Sequence, residues 1–247
     1  TLLRQAGGNV VIFGQSTEDA AGMVTTALIS LAARHAPEDA RFYVLDFMAA
    51  DDPNAGLFQR LSSLLSPHTL RVGGRRDLTA MIQEIGAEVD RRMEAEASGD
   101  PAIYVCIYGL QRARDLRSDD GGFSGGYSSS NFSLDGPLAP PPPPSPAKTL
   151  PKILREGPEL GVHTLVWCDT LANVNRTLDR ASVSQFDQRV ALQMSDQDSR
   201  NLVDDEVANK LGQHRAILYS EEGGTREKFR PYNVPSDAWL QRVSGAL

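Results

Sequence analysis

The chain has 247 residues, a formal net charge of -7, 40% apolar and 23% charged residues. No stretch approaches the roughly 18 to 20 uninterrupted apolar residues that a bilayer crossing needs, which excludes a transmembrane segment within this sequence. The acidic balance argues against a module whose main task is to neutralise phosphates, because that task demands a basic face.

The sequence opens at Thr1 without a Met or a charged, apolar and small-residue leader, and is expected to be a domain cut from a longer protein. Apolar runs rich in β-branched and aromatic residues predict strands at Val10 to Phe13, Phe42 to Phe47, His68 to Val72 and Ala102 to Tyr108. Further strands are expected at His163 to Cys168, Arg189 to Leu192 and Ala216 to Tyr219, with Lys228 to Tyr232 at an edge. Between them, Met23, Ala27, Leu28 and Leu31 repeat at helical spacing within Glu18 to His35. Leu78, Met81, Ile82, Ile85 and Val89 do the same within Asp77 to Glu96. This alternation predicts an α/β fold with a mostly parallel sheet covered by helices on both faces.

Residues 118 to 148 break the pattern with a Gly/Ser-rich half followed by Pro140 to Pro144. Such a composition buries too little apolar surface to offset its ordering entropy, so a disordered insertion within a single domain of residues 1 to 247 is expected. Phe123, Tyr127 and Phe132, with the proline run, make it a candidate docking site for a proline-binding partner.

Strand, glycine turn and helix start come in order at Gly14, Gln15, Ser16, Thr17, Glu18, Asp19, Ala20, Ala21 and Gly22. That order is the setting of a phosphate-binding loop, where backbone N–H groups and a helix N-terminus cradle a polyphosphate. A working loop reads G-x-x-x-x-G-K-[ST]. Counting from Gly14 puts Asp19 at the second glycine, Ala20 at the lysine and Ala21 at the hydroxyl residue. Glu18 and Asp19 add two carboxylates to the first helical turn, each favouring the helix by about 0.3 to 1 kcal/mol while repelling a nucleotide tail. The neighbouring strand, where an enzyme of this kind ends in acids that hold Mg²⁺ and polarise water, ends instead in Tyr108 and Gly109. The pattern is that of a vestigial nucleotide site.

Other constellations carry less chemistry. Of 25 basic residues, 21 are arginine, and Arg71, Arg75, Arg76 with Arg112, Arg114, Arg117 are read as lying after strand ends. They are candidate contacts to a DNA backbone or a subunit interface, and one is a candidate arginine finger. Cys106 and Cys168 sit inside apolar strands, which points to a reduced compartment. No His or Cys pair has metal-ligand spacing, so no metal site is expected. Asp204, Asp205 and Glu206 read as a solvated cap, and His163 as a packed strand residue.

The whole chain outside the insertion resembles the motor domain of the FtsK/SpoIIIE family. Gly14 to Leu31 is similar to that family's glycine loop and small-residue helix, and Arg41 to Asp46 to its strand ending in Ile-Asp-Pro-Lys. Ala87 to Met93 is similar to the helix ending in Met-Glu-Arg-Arg-Tyr. The family's Asp-Glu pair then falls on Tyr108 and Gly109. Ile153 to Leu165 resembles Arg-Ala-x-Gly-Ile-His-Leu-Ile. The family's sensor segment corresponds to Val166 to Thr170, which puts Asp169 and Thr170 at the sensor position. Asp196 to Val203 and Leu211 to Tyr219 match the stretch ending in Leu-Leu-Gly-x-Gly-Asp-Met-Leu-Tyr.

The resemblance implies a RecA-like P-loop NTPase fold and, given the lost ligands, a degenerate domain that does not hydrolyse ATP. It implies a structural or regulatory module of a larger ATP-driven DNA translocase, or a cargo-recognition domain of a type VII, EccC-like secretion ATPase. The partners implied are other ATPase domains of the same chain or a homo-oligomeric ring, with DNA or a secreted protein reached through the parent assembly. No cofactor is expected here, ATP and Mg²⁺ belonging to the active relatives. The implied location is cytoplasmic, with a parent that is a candidate for membrane anchoring. The secretion reading further expects an apolar pocket at the vacant nucleotide cleft, able to take a helical signal.

Overall fold

The computed structural model of the chain describes residues 2–95, 99–117 and 144–245. In chain order the elements are β1 (Val10–Phe13), α1 (Thr17–Ala32), β2 (Ala40–Asp46), α2 (Leu57–Leu64), β3 (Thr69–Gly73), α3 (Leu78–Ala95) and β4 (Ala102–Tyr108). There follow α4 (Pro146–Glu156), β5 (Val162–Cys168), α5 (Leu171–Asn175), α6 (Arg180–Val183), β6 (Gln188–Ala191), α7 (Asp196–Val203), β7 (Ala216–Ser220), β8 (Thr225–Phe229) and α8 (Asp237–Ser244). The strands make one sheet in the order β3-β2-β4-β5-β1-β6-β7-β8. Pairing is parallel from β3 through β6 and antiparallel for β7 and β8.

The sheet divides two cores, because successive residues of a strand point to opposite faces. Along β4, Ile103, Val105 and Ile107 enter one core with α3, α4 and the 3-10 turns after β4. Tyr104, Cys106 and Tyr108 enter the other with α1, α2 and α8. All seven residues of β4 are buried, as a central parallel strand requires. Both cysteines are free and buried, and burial pushes the Cys168 thiol up to about 12, so neither is a nucleophile at neutral pH.

Several element bounds differ from the sequence reading by one to three residues, and two differences change the reading of a segment. Ser145 precedes a helix opening at Pro146, so residues 146–148 are helical where the insertion was expected to extend. Proline suits this first helical position because its missing N–H has no intrahelical partner there anyway. The remaining insertion residues, 118–143, lie outside the described residues, as do the aromatic candidates Phe123, Tyr127 and Phe132. The edge strand is Thr225–Phe229, and Arg230 to Tyr232 leave the sheet to run across α1.

Arg92 fastens one face. It is 1% exposed; its Nε donates to Glu88 Oε1 at 2.8 Å, and its Nη1 and Nη2 to the carbonyls of Leu160 and Pro101, each at 2.9 Å. This ties α3 to the turns that enter β4 and β5. Hydrogen bonds from Arg91 first, and from Arg92, hold the Glu88 carboxyl at about 2, below its ordinary 4.5. A carboxyl depressed in the folded state adds stability above its unfolded value and loses it as pH falls toward the folded value. Urea midpoints should therefore show Glu88→Gln costing most at neutral pH, with its difference from the parent shrinking between pH 4.5 and about 2. A difference independent of pH would mean that the carboxylate charge is not what Arg91 and Arg92 read.

Candidate functional site

β1 passes into α1 through only three residues, Gly14, Gln15 and Ser16. Gly14 has φ +139, and a Cβ there would lie 2.4 Å from Leu192 Cβ, so only glycine fits between the ends of β1 and β6. Ser16 caps the helix, its Oγ accepting from Asp19 N at 3.2 Å. Thr17, Glu18, Asp19, Ala20, Ala21 and Gly22 are therefore helical, within its first two turns, instead of spanning a loop. Ala20 and Ala21 are fully buried in the core beneath α1. Gly22 is also helical: the chain after β8 crosses it so closely that a Cβ would meet the Tyr232 carbonyl oxygen at 2.0 Å. Glycine here permits the close packing of the helix against the crossing chain.

Aromatic side chains hold this short turn from below. The Tyr108 hydroxyl donates to the Thr17 carbonyl oxygen at 2.9 Å, and Trp167 Nε1 donates to the Gly14 carbonyl oxygen at 3.1 Å. The two rings pack at a centroid distance of 4.4 Å, and Phe58 meets Tyr108 edge-on at 5.1 Å. Burial pushes the Tyr108 phenol upward, so it stays a neutral donor. The position that the resemblance assigned to a metal-binding acid thus carries an aromatic strut against the loop. Gly109 follows in the left-handed region, φ +92, and starts the 3-10 turns after β4.

Asp19 is 4% exposed, and His214 Nδ1 lies 2.9 Å from its Oδ1. The acid expected to repel phosphate is therefore satisfied by a histidine from the turn before β7. Asp169 and Thr170 are likewise engaged locally: Thr170 Oγ1 caps α5 through Asn173 N at 3.3 Å, and Asp169 Oδ1 accepts from Asn173 Nδ2 at 2.7 Å. The space beside Gly14, Gln15, Asp169 and Thr170 is a cavity of about 190 Å³, and a second, of about 540 Å³, lies beside Gln15, Ser16, Asp19 and His214. A mainly apolar pocket of about 430 Å³ lies elsewhere, against the sheet under the C-terminal half of α1.

The arginines spread along the strand ends. Arg71 lies within β3, not after it, and pairs with Glu84 at 2.6 Å. Arg75 pairs with Asp115 at 3.5 Å, and Arg112 Nη1 donates to the Phe47 carbonyl oxygen at 3.0 Å. Arg117 donates to the Gln111 carbonyl oxygen, while Arg76 and Arg114 are exposed. The acidic run is structural: Asp204 closes α7 at φ +55 and accepts from the Tyr219 hydroxyl. His163 is buried, its Nδ1 2.8 Å from the Gly8 carbonyl oxygen. Trp167 and His214 were missed as parts of the site, because their partners are 153 and 195 residues away and no local pattern marks them.

No family model and no curated protein matches the chain. Solved structures do. The cytoplasmic domain of the type VII secretion ATPase EccC from Thermomonospora curvata aligns with a TM-score of 0.64 at 16% identity, over 98% of this chain and 28% of that one. ATPases 2 and 3 of EssC from Geobacillus thermodenitrificans align with a TM-score of 0.64 at 14% identity, over 96% of this chain and 43% of that one. The pCW3 conjugation coupling protein TcpA, in its monomer form with ATPγS, aligns with a TM-score of 0.65 at 12% identity, over 96% and 64% of the two chains. The chain thus spans less than two thirds of each of these proteins' lengths. These likenesses, all at 16% identity or below, show the fold: a mostly parallel α/β sheet of the RecA-like kind, shared with these ATPase domains.

Proposed function

We propose that this chain is a non-hydrolysing motor-type domain, a degenerate copy that serves a structural or regulatory role within a larger ATP-driven machine, beside active ATPase domains of the same polypeptide or in a ring. The observation that carries this reading is the Tyr108 hydroxyl seated on the Thr17 carbonyl oxygen at 2.9 Å. A phosphate cradle needs a loop whose N–H groups converge on open space, and an acid at the end of a nearby strand to hold magnesium. Here the turn has three residues, and β4, separated from β1 by β5, supplies a phenol. Ala20 and Ala21 offer neither ammonium nor hydroxyl.

The cargo of the parent machine is DNA in one reading and a secreted protein in the other. The net charge of -7 and the engagement of Arg71, Arg75 and Arg112 within the chain favour the protein reading, because DNA gripping draws on free cations. Calorimetric titration at physiological salt should give no saturable heat with Mg-ATP at micromolar concentration and only weak binding to duplex DNA, with no phosphate release above background. Micromolar, magnesium-dependent ATP affinity would defeat the degenerate reading, and tight, salt-sensitive DNA binding would reverse the choice of cargo.

A further inference from the structure

Three of the chain's four histidines meet at one corner of the fold, where the N-terminal ends of β2 to β5 lie beside the end of α1. His35 Nε2 lies 2.8 Å from the Tyr104 hydroxyl, and His68 Nε2 lies 2.9 Å from the His35 carbonyl oxygen. The His163 ring stacks on Tyr104 at 5.7 Å between centroids, and its Nδ1 lies 2.8 Å from the Gly8 carbonyl oxygen. Phe42 completes the group, stacked on Tyr104 at 5.3 Å and edge-on to His68 at 6.2 Å. The three imidazoles thus join the chain leaving α1, the entry to β3, β5 and the segment before β1. Just beyond Gly8 the chain is fixed independently, because the buried Asn9 side chain bonds Leu154, Gln185 and Thr164.

The corner is built for neutral imidazoles. A carbonyl oxygen only accepts, so His68 carries its proton on Nε2 and His163 on Nδ1. His68 Nδ1 is left bare and buried, with no partner among the described residues, so a second proton there would find no acceptor. The surrounding charges also oppose proton uptake: among the described residues Asp39 is the one acid whose charge reaches His35, against Arg34, His68 and Arg4, and Arg4 alone reaches His163. Burial is the largest influence on both and holds His35 and His163 below the ordinary 6.5. A histidine depressed in the folded state contributes stability that is fully present above its unfolded value and is lost as pH falls below it toward the folded value.

We propose that His35, His68 and His163 form an acid-sensitive latch: neutral, they hold residues 2 to 8 and the loop of residues 33 to 39 against the sheet, and proton uptake releases both while β4 and β5 stay paired. The latch lies at the opposite end of the strands from Gly14 and Tyr108, so its test leaves the reading of the nucleotide cleft untouched. Hydrogen exchange of the whole chain, corrected for its intrinsic pH dependence, follows the Gly8, His35 and His68 amides, which donate to the Gln5, Ala32 and Leu65 carbonyl oxygens. These three should lose protection together as pH falls from about 7.5 to about 5.5, by about tenfold per pH unit for each extra proton that the open form binds. Amides within β4 should not follow. In His35→Gln with His163→Asn, the carboxamides keep a hydrogen-bonding nitrogen toward Tyr104 and Gly8 but take up no proton, and protection should persist. Unchanged protection in the parent, a loss spread evenly over the core, or an equal loss in the double variant overturns the proposal. Should that variant not fold, imidazole proton NMR of the parent decides: His35 and His163 should titrate below 6.5, and midpoints at or above it overturn the latch.

Discussion

Writing the phosphate-loop residues back into α1, as Ala20→Lys with Ala21→Thr, is expected to unfold the protein instead of creating an ATPase. Both alanines are 0% exposed and pack in the core between α1 and the sheet. A lysine there buries an ammonium with no acid facing it, and an uncompensated buried charge costs about 3–5 kcal/mol. Added volume in a filled core costs about 1–3 kcal/mol more. Against a typical domain stability of about 5–15 kcal/mol, that sum removes most of the margin. Urea unfolding should show a large fall in midpoint, and Mg-ATP should restore none of it, because a ligand stabilises only a state that binds it. A double variant that stays folded and is stabilised by Mg-ATP would mean that α1 begins later than Thr17 in solution and that the cleft survives.

Trp167→Ala should be the most damaging single change at the turn. The indole is 1% exposed, lies 4.4 Å from the Tyr108 ring between centroids and supplies the donor to the Gly14 carbonyl oxygen. Truncating a buried aromatic to alanine costs about 3–5 kcal/mol. Tyr108→Phe keeps the ring stack and removes only the hydroxyl bonded to Thr17, for about 1 kcal/mol. The threefold or greater gap between them tests whether ring packing, more than the hydrogen bond, anchors the turn. Denaturation midpoints of the two single variants and the double variant give the coupling directly, since contacting residues depart from additivity by about 0.5–3 kcal/mol. A Trp167→Ala cost no larger than that of Tyr108→Phe would transfer the anchoring role to the hydrogen bond.

The turn before α1 and the apolar pocket are linked by one feature of the chain. Residues 230 to 232 leave β8 and cross α1 at Gly22, so the helix is clamped near its start while its C-terminal half stands beside an uncovered part of the sheet. At the strand ends Tyr108, Trp167 and Phe58 pack together beneath the turn.

Much of the architecture was legible without coordinates. The strand at Val10 to Phe13 was read to the residue, and β4 likewise, because a short apolar run bounded by polar residues has one natural extent. α1 and α3 came within a few residues of their expected ends, since helical spacing of apolar residues repeats over many turns and errors fall only at the caps. The less secure ends were those set by neighbours. β8 shifted by three residues, from an expected Lys228 start to Thr225, because its backbone pairs with β7 while its side chains are charged and nearly all exposed, leaving no apolar alternation to read.

The sequence by itself determined that Ala20 and Ala21 bring neither ammonium nor hydroxyl to the start of α1, and that β4 ends at Tyr108, followed by Gly109, without a carboxylate. It also determined the serine cap and acidic first turn of α1, which depend on residues within one turn of each other. Only the tertiary structure decided which distant residues meet at the turn. Tyr108 reaches Thr17 across 91 residues, Trp167 reaches Gly14 across 153, and His214 reaches Asp19 across 195. Such pairs meet because parallel strands bring the same end of distant segments side by side, and that register is written in no local stretch of the chain.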